Sequence, residues 1–270
     1  MTVSPTNAPR ANSSIPGPGL IGLGFITNFF DTLGIGSFAT TTSVLKLGKV
    51  IEDENIPGTL NVGHLIPTIL EAGLFLSVIE VEFTTLVSMI IAGGLGAWFG
   101  AGVVARWPRR VVQRAMALAL LFTALVITLR QTGIFPAGGN AIGLSGTSLI
   151  VAVLANVLIG ALMSLGIGCY APIMAVIYSL GMSPRVAFPI MAGSAALMMP
   201  ASAIRFWNSG RFDRRVSLGL TLGGIPGVLV ATYIVKELPV KYLLWVVVAV
   251  LLYTSATLWS SSKADVKADA

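Results

Sequence analysis

The chain has 270 residues, of which 55% are hydrophobic and only 10% charged, with a mean hydropathy of +0.87. A soluble domain carries about 25% charged residues, so the composition excludes a soluble globular fold and points to a membrane protein. The formal net charge of +6 falls in short clusters beside apolar runs, a pattern that sets topology and argues against nucleic acid as a partner.

In chain order, residues 1–17 read as a flexible tail, with Pro5, Pro9 and Pro16 among Asn and Ser and no continuous apolar core of a signal peptide. Residues 19–47 are apolar but interrupted by Leu33-Gly34-Ile35-Gly36-Ser37-Phe38. Runs at 62–79, 83–105 and 111–129 each suit one crossing helix, which takes roughly 20 residues. A polar, Gly-rich interval spans 131–147. Residues 148–181 are interrupted again, by Leu165-Gly166-Ile167-Gly168-Cys169-Tyr170, and runs at 186–204, 216–235 and 240–259 complete the set before a polar tail at 261–270. Leu, Ala, Gly and Met dominate, without the ten-residue alternation of a barrel strand. The expected fold is an all-α polytopic membrane protein.

The two interruptions are copies of one hexapeptide, offset by 132 residues. Gly93-Gly94 recurs as Gly223-Gly224 at an offset of 130, and Pro108 as Pro239 at 131. The chain therefore divides into a first repeat at 18–130, an extracytoplasmic linker at 131–147 and a second repeat at 148–260.

Lys and Arg decide how the interrupted segments run. If each were a single kinked span, eight of the 17 basic residues would lie on one side and nine on the other. If each folds back to the side it came from, the split is thirteen to four, a strong positive-inside bias. This predicts two inverted repeats, each a Gly-tipped helical hairpin plus three transmembrane helices, with both termini cytoplasmic. Arms of about 14–17 residues reach roughly 21–25 Å as helix, short of a core of roughly 30 Å. The two tips are expected to face each other at mid-depth.

Irregular backbone is tolerated in a bilayer only where it is buried in protein or lines a wet cavity. At each tip the second arm begins, so free N–H groups and the positive end of a helix dipole point inward. Gly34, Gly36, Gly166 and Gly168 allow the tight turn and a close approach to the main chain. Ser37, Thr40, Thr41 and Thr42, with Cys169 and Tyr170, add side-chain donors. Two such N-termini form an oxyanion cradle; the alternative is that the glycines only let helices pack closely.

Asp31, His64 and Glu71 lie within apolar sequence, where a central charge costs several kcal/mol. They are candidates for a proton coupled to substrate movement, against the plainer reading of buried polar groups satisfied by backbone. His64 and Glu71 share a helix face, with Pro67 between them as a possible break, and the repeat offset sets His64 opposite Ser194. Glu80 and Glu82 read as solvated loop residues. The Arg clusters at 106–114 and 205–215 set orientation and meet lipid head groups.

Gly143-Leu144-Ser145-Gly146 matches the motif of rhomboid-type intramembrane serine proteases, but the single histidine, His64, lies upstream and the dyad order fails. With one cysteine and no recognised metal spacing, neither a catalytic nor a metal site is expected.

The two hexapeptides are each followed by a helix and a Pro-containing loop (Ile56-Pro57, Ser183-Pro184). Small-residue helices come next (Gly63-His64, Gly193-Ser194), then Gly93-Gly94-Leu95-Gly96-Ala97 and Gly223-Gly224-Ile225-Pro226-Gly227. Over about residues 20–260 this order resembles the TauE/SafE family of membrane transporters, described as sulfite or organosulfonate exporters. The resemblance implies export of a small sulfur-containing anion without ATP hydrolysis and without a cofactor. It also implies a plasma-membrane location (the inner membrane in a bacterium), lipid contact and room for a homo-oligomer. Carried onto this chain, the substrate positions are Gly34, Gly36, Ser37, Phe38, Gly166, Gly168, Cys169, Tyr170 and Ser194. Ser37-Phe38 departs from a more glycine-rich first tip, and His64 stands where Thr or Ser is common. A passive anion channel, an intramembrane enzyme and a packing scaffold are the competing readings.

Overall fold

A computed structural model describes residues 15–134, 139–166 and 168–234, with scattered positions between 245 and 263. The expected span at 240–259 and most of both tails lie outside the described residues. The structure is 80% helical with no strands among the described residues; one isolated bridge joins Ala141 to Met182.

Ten α-helices follow in order among the described residues: α1 (Pro18–Thr32), α2 (Ser37–Leu47), α3 (Ile56–Gly63), α4 (Leu65–Val78) and α5 (Phe83–Val104) come first. Then come α6 (Arg109–Gln131), α7 (Gly146–Met163), α8 (Tyr170–Ser179), α9 (Pro184–Ser209) and α10 (Arg214–Ile234). Five of these are long and apolar enough to cross a membrane, and a sixth span results if α3 and α4 count as one bent rod. This is an integral, multi-pass membrane protein.

The bend corrects the expected single run at 62–79. The helix breaks at His64 with an angle of 41°, three residues ahead of Pro67. Proline has no N–H for the carbonyl four residues back. That carbonyl, on Gly63, accepts the Thr221 hydroxyl of α10 instead, at 2.8 Å. The break is therefore satisfied by tertiary contact.

The loops gather at two poles. At the first, Arg211 donates to the Trp107 carbonyl at 2.8 Å and pairs with Glu54 at 3.6 Å. Arg109 pairs with Glu52 at 3.2 Å, and Lys46 with Asp53. Gly17 lies beside Arg215. Both ends of the first interrupted segment thus sit with the basic loops at 105–110 and 210–215. At the second pole, Glu82 N–H donates to Ile142 O at 3.0 Å. There too Ser183 N–H donates to Ala141 O at 2.8 Å. The start of α7 and the end of α8 therefore share this pole. Both interrupted segments fold back.

Their arms are less equal than expected. α1 and α2 have 15 and 11 residues, about 22 and 16 Å. α7 and α8 have 18 and 10, about 27 and 15 Å, so α7 is itself of membrane-crossing length.

The long helices pack as crossed partners. α10 of the second half lies on α1 of the first, and α5 of the first half on α7 of the second. A Cβ on Gly223 would stand 1.8 Å from Ile21 O, and one on Gly96 1.9 Å from Val157 O. Backbones approach this closely only where side chains are missing, the usual device for helix association in lipid.

Glu82 is more than a solvated loop residue. It caps α5, accepting from the Thr85 hydroxyl at 2.7 Å and from the N–H groups of Thr85 and Thr84 at 2.7 and 2.8 Å. The Thr85 bonds, with the Thr84 amide, hold its carboxyl down to about 2.

The fold-back of the second segment makes a direct prediction. In a Cys169→Ser background, Thr147→Cys and Arg185→Cys should react with a membrane-impermeant maleimide from the same side, and Lys49→Cys from the other. Labelling of positions 147 and 185 from opposite sides would contradict it.

Candidate functional site

The two tips meet inside the bundle. A Cβ on Gly168 would lie 3.8 Å from Phe38 Cβ, and one on Gly166 would lie 3.7 Å from Thr42 Oγ1. The first tip leans the other way, with Gly34 against Phe188 of α9 and Met174 of α8. Each tip therefore touches the opposite half of the chain.

The tip glycines carry the turn. Gly34, Gly36 and Gly166 have φ of +80°, +90° and +85°, a region that other residues adopt at a cost of roughly 1–2 kcal/mol. Gly36 faces open space: a Cβ there would meet nothing within 4 Å.

The exposed donors at the first tip are already engaged. Ser37 opens α2, and its N–H donates to Asp31 Oδ1 at 2.8 Å while its hydroxyl donates to Oδ2 at 2.9 Å. The carboxylate closes the turn between the arms and lies at the positive end of the α2 dipole. Thr40 bonds within its own helix, to Ser37 O at 2.9 Å. Thr41 and Thr42 point elsewhere.

Thr41 Oγ1 lies 3.1 Å from His64 Nε2, and His64 Nδ1 lies 3.1 Å from Asn28 Oδ1. The Asn28 amide nitrogen donates to Gly24 O at 2.8 Å, so its oxygen faces the ring and accepts. His64 then carries its proton on Nδ1 and accepts the Thr41 hydroxyl at Nε2. Both ring nitrogens are used, in a residue with no solvent exposure. Phe38 packs on the same ring at 5.8 Å between centroids.

The second tip is joined to Glu71. Tyr170, first residue of α8, donates its hydroxyl to Glu71 Oε1 at 2.8 Å. Glu71 Oε2, Thr68 Oγ1 and Thr42 Oγ1 are buried without a hydrogen-bond partner. His64, Thr68 and Glu71 follow one another along one face of α4. A cavity of about 280 Å³, lined by Thr32, Glu71, Phe75, Val78 and Thr232 among others, leads from Glu71 toward the second pole. Cys169 is buried at the head of α8.

Ser194 does not join this cluster through a hydrogen bond. Its hydroxyl accepts from Asn156 of α7 at 3.0 Å, and Asn156 also donates to Met89 O. The pair Asn156–Ser194 repeats the pair Asn28–His64 at offsets of 128 and 130. In both halves an asparagine on the first hairpin arm braces the mid-helix polar position. Asn156 was missed from sequence; a lone Asn in an apolar run at the repeat offset from Asn28 was the available signal. The repeats differ in charge: Asp31, His64 and Glu71 have Met163, Ser194 and Ala201 at offsets of 132, 130 and 130.

Ser145 precedes α7 beside Glu82 and Gly143 at the second pole, while His64 is bound to Asn28 and Thr41. The rhomboid-like motif thus has no histidine at hand. Among the described residues no cluster of His, Cys, Asp or Glu could hold a metal ion.

Fold and site define a multi-pass helical membrane protein built around two apposed hairpin tips. Within that class, residues 145–269 match the family model described as Sulfite exporter TauE/SafE. The resemblance is therefore upheld over the second half of the chain, and transport across a membrane is the activity of that family. No curated protein and no solved structure matches the chain.

The tip geometry makes a direct prediction. Gly36→Ala should destabilise the protein by about 1–2 kcal/mol through its positive φ, despite the empty space around it. Thermal unfolding in detergent reads the change; unaltered stability would contradict the turn assigned to Gly36.

Proposed function

We infer that this protein is a secondary transporter that exports a small sulfur-containing oxyanion, sulfite or an organosulfonate, held between the two hairpin tips. The observation that carries the reading is the apposition of the Gly168 and Phe38 tips around buried hydroxyls of Ser37, Thr42 and Tyr170. Helix N-termini and hydroxyls bind oxyanions without a neighbouring cation. The family match over residues 145–269 supports the class of substrate.

The substrate contacts in this reading are Gly34, Gly36, Ser37, Phe38, Gly166, Gly168, Cys169 and Tyr170, with Ser194 bracing the second half. Asp31, His64 and Glu71 are the candidates for coupling to a proton. Asp31 and Glu71 are the better placed, since each binds a tip directly, whereas both His64 nitrogens already serve Asn28 and Thr41. The two repeats enter from opposite sides of the plasma membrane, and both termini are cytoplasmic. A potential that is negative inside drives outward whatever net negative charge crosses, by about 2.3 kcal/mol per charge per 100 mV, and the anion's own gradient drives the rest. Efflux then needs no ATP.

The test is flux from proteoliposomes preloaded with sulfite, taurine, sulfoacetate or thiosulfate. Saturable efflux of at least one of these, altered by a protonophore, is the expected outcome. Flux that never saturates and ignores the protonophore would identify a passive anion pore instead.

A further inference from the structure

We propose that Asp31 is a resident anion: its carboxylate occupies the donors that the transported oxyanion uses, and protonation of Asp31 hands those donors over, so that one proton moves with each anion. This rests on the reading of the tips as the transport site and specifies its coupling.

The geometry is that of a bound carboxylate. Both oxygens of Asp31 are held by Ser37, at 2.8 Å by the first N–H of α2 and at 2.9 Å by the hydroxyl. A sulfonate or sulfite presents the same pair of oxygens at a similar spacing, and helix N-termini accept either. The tip is not packed shut there: among the described residues, its chain neighbours aside, nothing lies within 4 Å of the Cβ position of Gly36. A second set of groups lies in the same cluster. Thr42 Oγ1 faces Gly166 of the other tip, and Thr68 Oγ1 is one helical turn from Glu71; both are fully buried and unpartnered.

Among the described residues no ion pair reaches Asp31. The ion pairs among the described residues join Lys46, Arg109 and Arg211 to Glu52, Asp53 and Glu54, all at the first pole. The titratable groups facing it are Glu71 from α4, Cys169 and Tyr170 from the head of α8, and His64 at the α3–α4 break. The polar positions of α10 along α1 are hydroxyls such as Thr221 and Thr232. A second anion placed beside an ionised Asp31 would meet like charge and find its donors taken. Protonation removes both obstacles, since a neutral carboxyl yields the Ser37 N–H and adds an O–H donor of its own. The proton bound by Asp31 balances one negative charge of the ligand. A monoanionic sulfonate then crosses without net charge, and a dianion carries a single negative charge. Glu71, at the inner end of the cavity toward the second pole, supplies a second carboxyl from which the proton can be exchanged.

The experiment measures binding of methanesulfonate, whose charge is fixed, and of sulfite to the purified full-length protein in detergent between pH 5 and pH 9. Wild type should take up about one proton per methanesulfonate bound, read by calorimetry in two buffers of different ionisation enthalpy. Linkage then requires its affinity to fall about tenfold per pH unit on the alkaline side. Asp31→Asn should bind with an affinity that changes less than twofold over the same range. Binding without proton uptake, an unchanged pH slope in Asp31→Asn, or loss of binding in folded Asp31→Asn would each overturn the proposal while leaving the tip site standing. Wild type that binds neither anion at any pH would remove the site and the coupling together. The proton count needs no variant, so a misfolded Asp31→Asn does not shield the idea.

Discussion

Backbone amides that end inside an apolar medium need partners, and that constraint organises this protein. Segments that turn back within the bundle leave the first N–H groups of α2 and α8 without a preceding helical turn. The chain meets the demand at the first tip with its own carboxylate, through the paired bonds from Ser37 to Asp31. At the second tip the corresponding contact runs between side chains, the Tyr170 hydroxyl donating to Glu71. Each solution places an acid at a point where a lysine or arginine would have bound an anion permanently. Donors held by an acid can be released again, which suits the transport site proposed for the tips.

The glycines serve two separate ends. Those in the tips, Gly34, Gly36 and Gly166, provide backbone angles that other residues resist. Those in the long helices, Gly96 and Gly223 foremost, let carbonyl oxygens of a partner helix pass within the volume a Cβ would fill. Cavity and packing readings of the same residue type are thus both correct, at different positions. The crossed pairing of α1 with α10 and α5 with α7 ties the halves together, so that each tip is braced by helices from the other repeat.

Much of this was legible in the chain. The recurrence of the hexapeptide located both breaks in the apolar runs, and the distribution of apolar residues located the long helices. The polar residues at 31, 64 and 71 all proved buried. Other features escaped because they depend on tertiary partners. The bend at His64 follows from Pro67, but its tolerance depends on Thr221, 158 residues from Gly63. The unequal lengths of α7 and α8 have no compositional mark, because the apolar run continues through the turn. Glu82 looked like any loop acid until Thr84 and Thr85 turned their donors toward it.

One distance underlies the whole account, the 3.8 Å between Phe38 Cβ and the Cβ position of Gly168. Two cysteines can be bridged when their Cβ atoms lie about 3.5–4.5 Å apart. Phe38→Cys with Gly168→Cys, in a Cys169→Ser background, should therefore form an intramolecular disulfide on mild oxidation in native membranes. A link that persists after cleavage of the loop at 131–147 is the predicted result. Two folded-protein thiols that never join under oxidation, while each is alkylated freely, would mean that the tips do not meet.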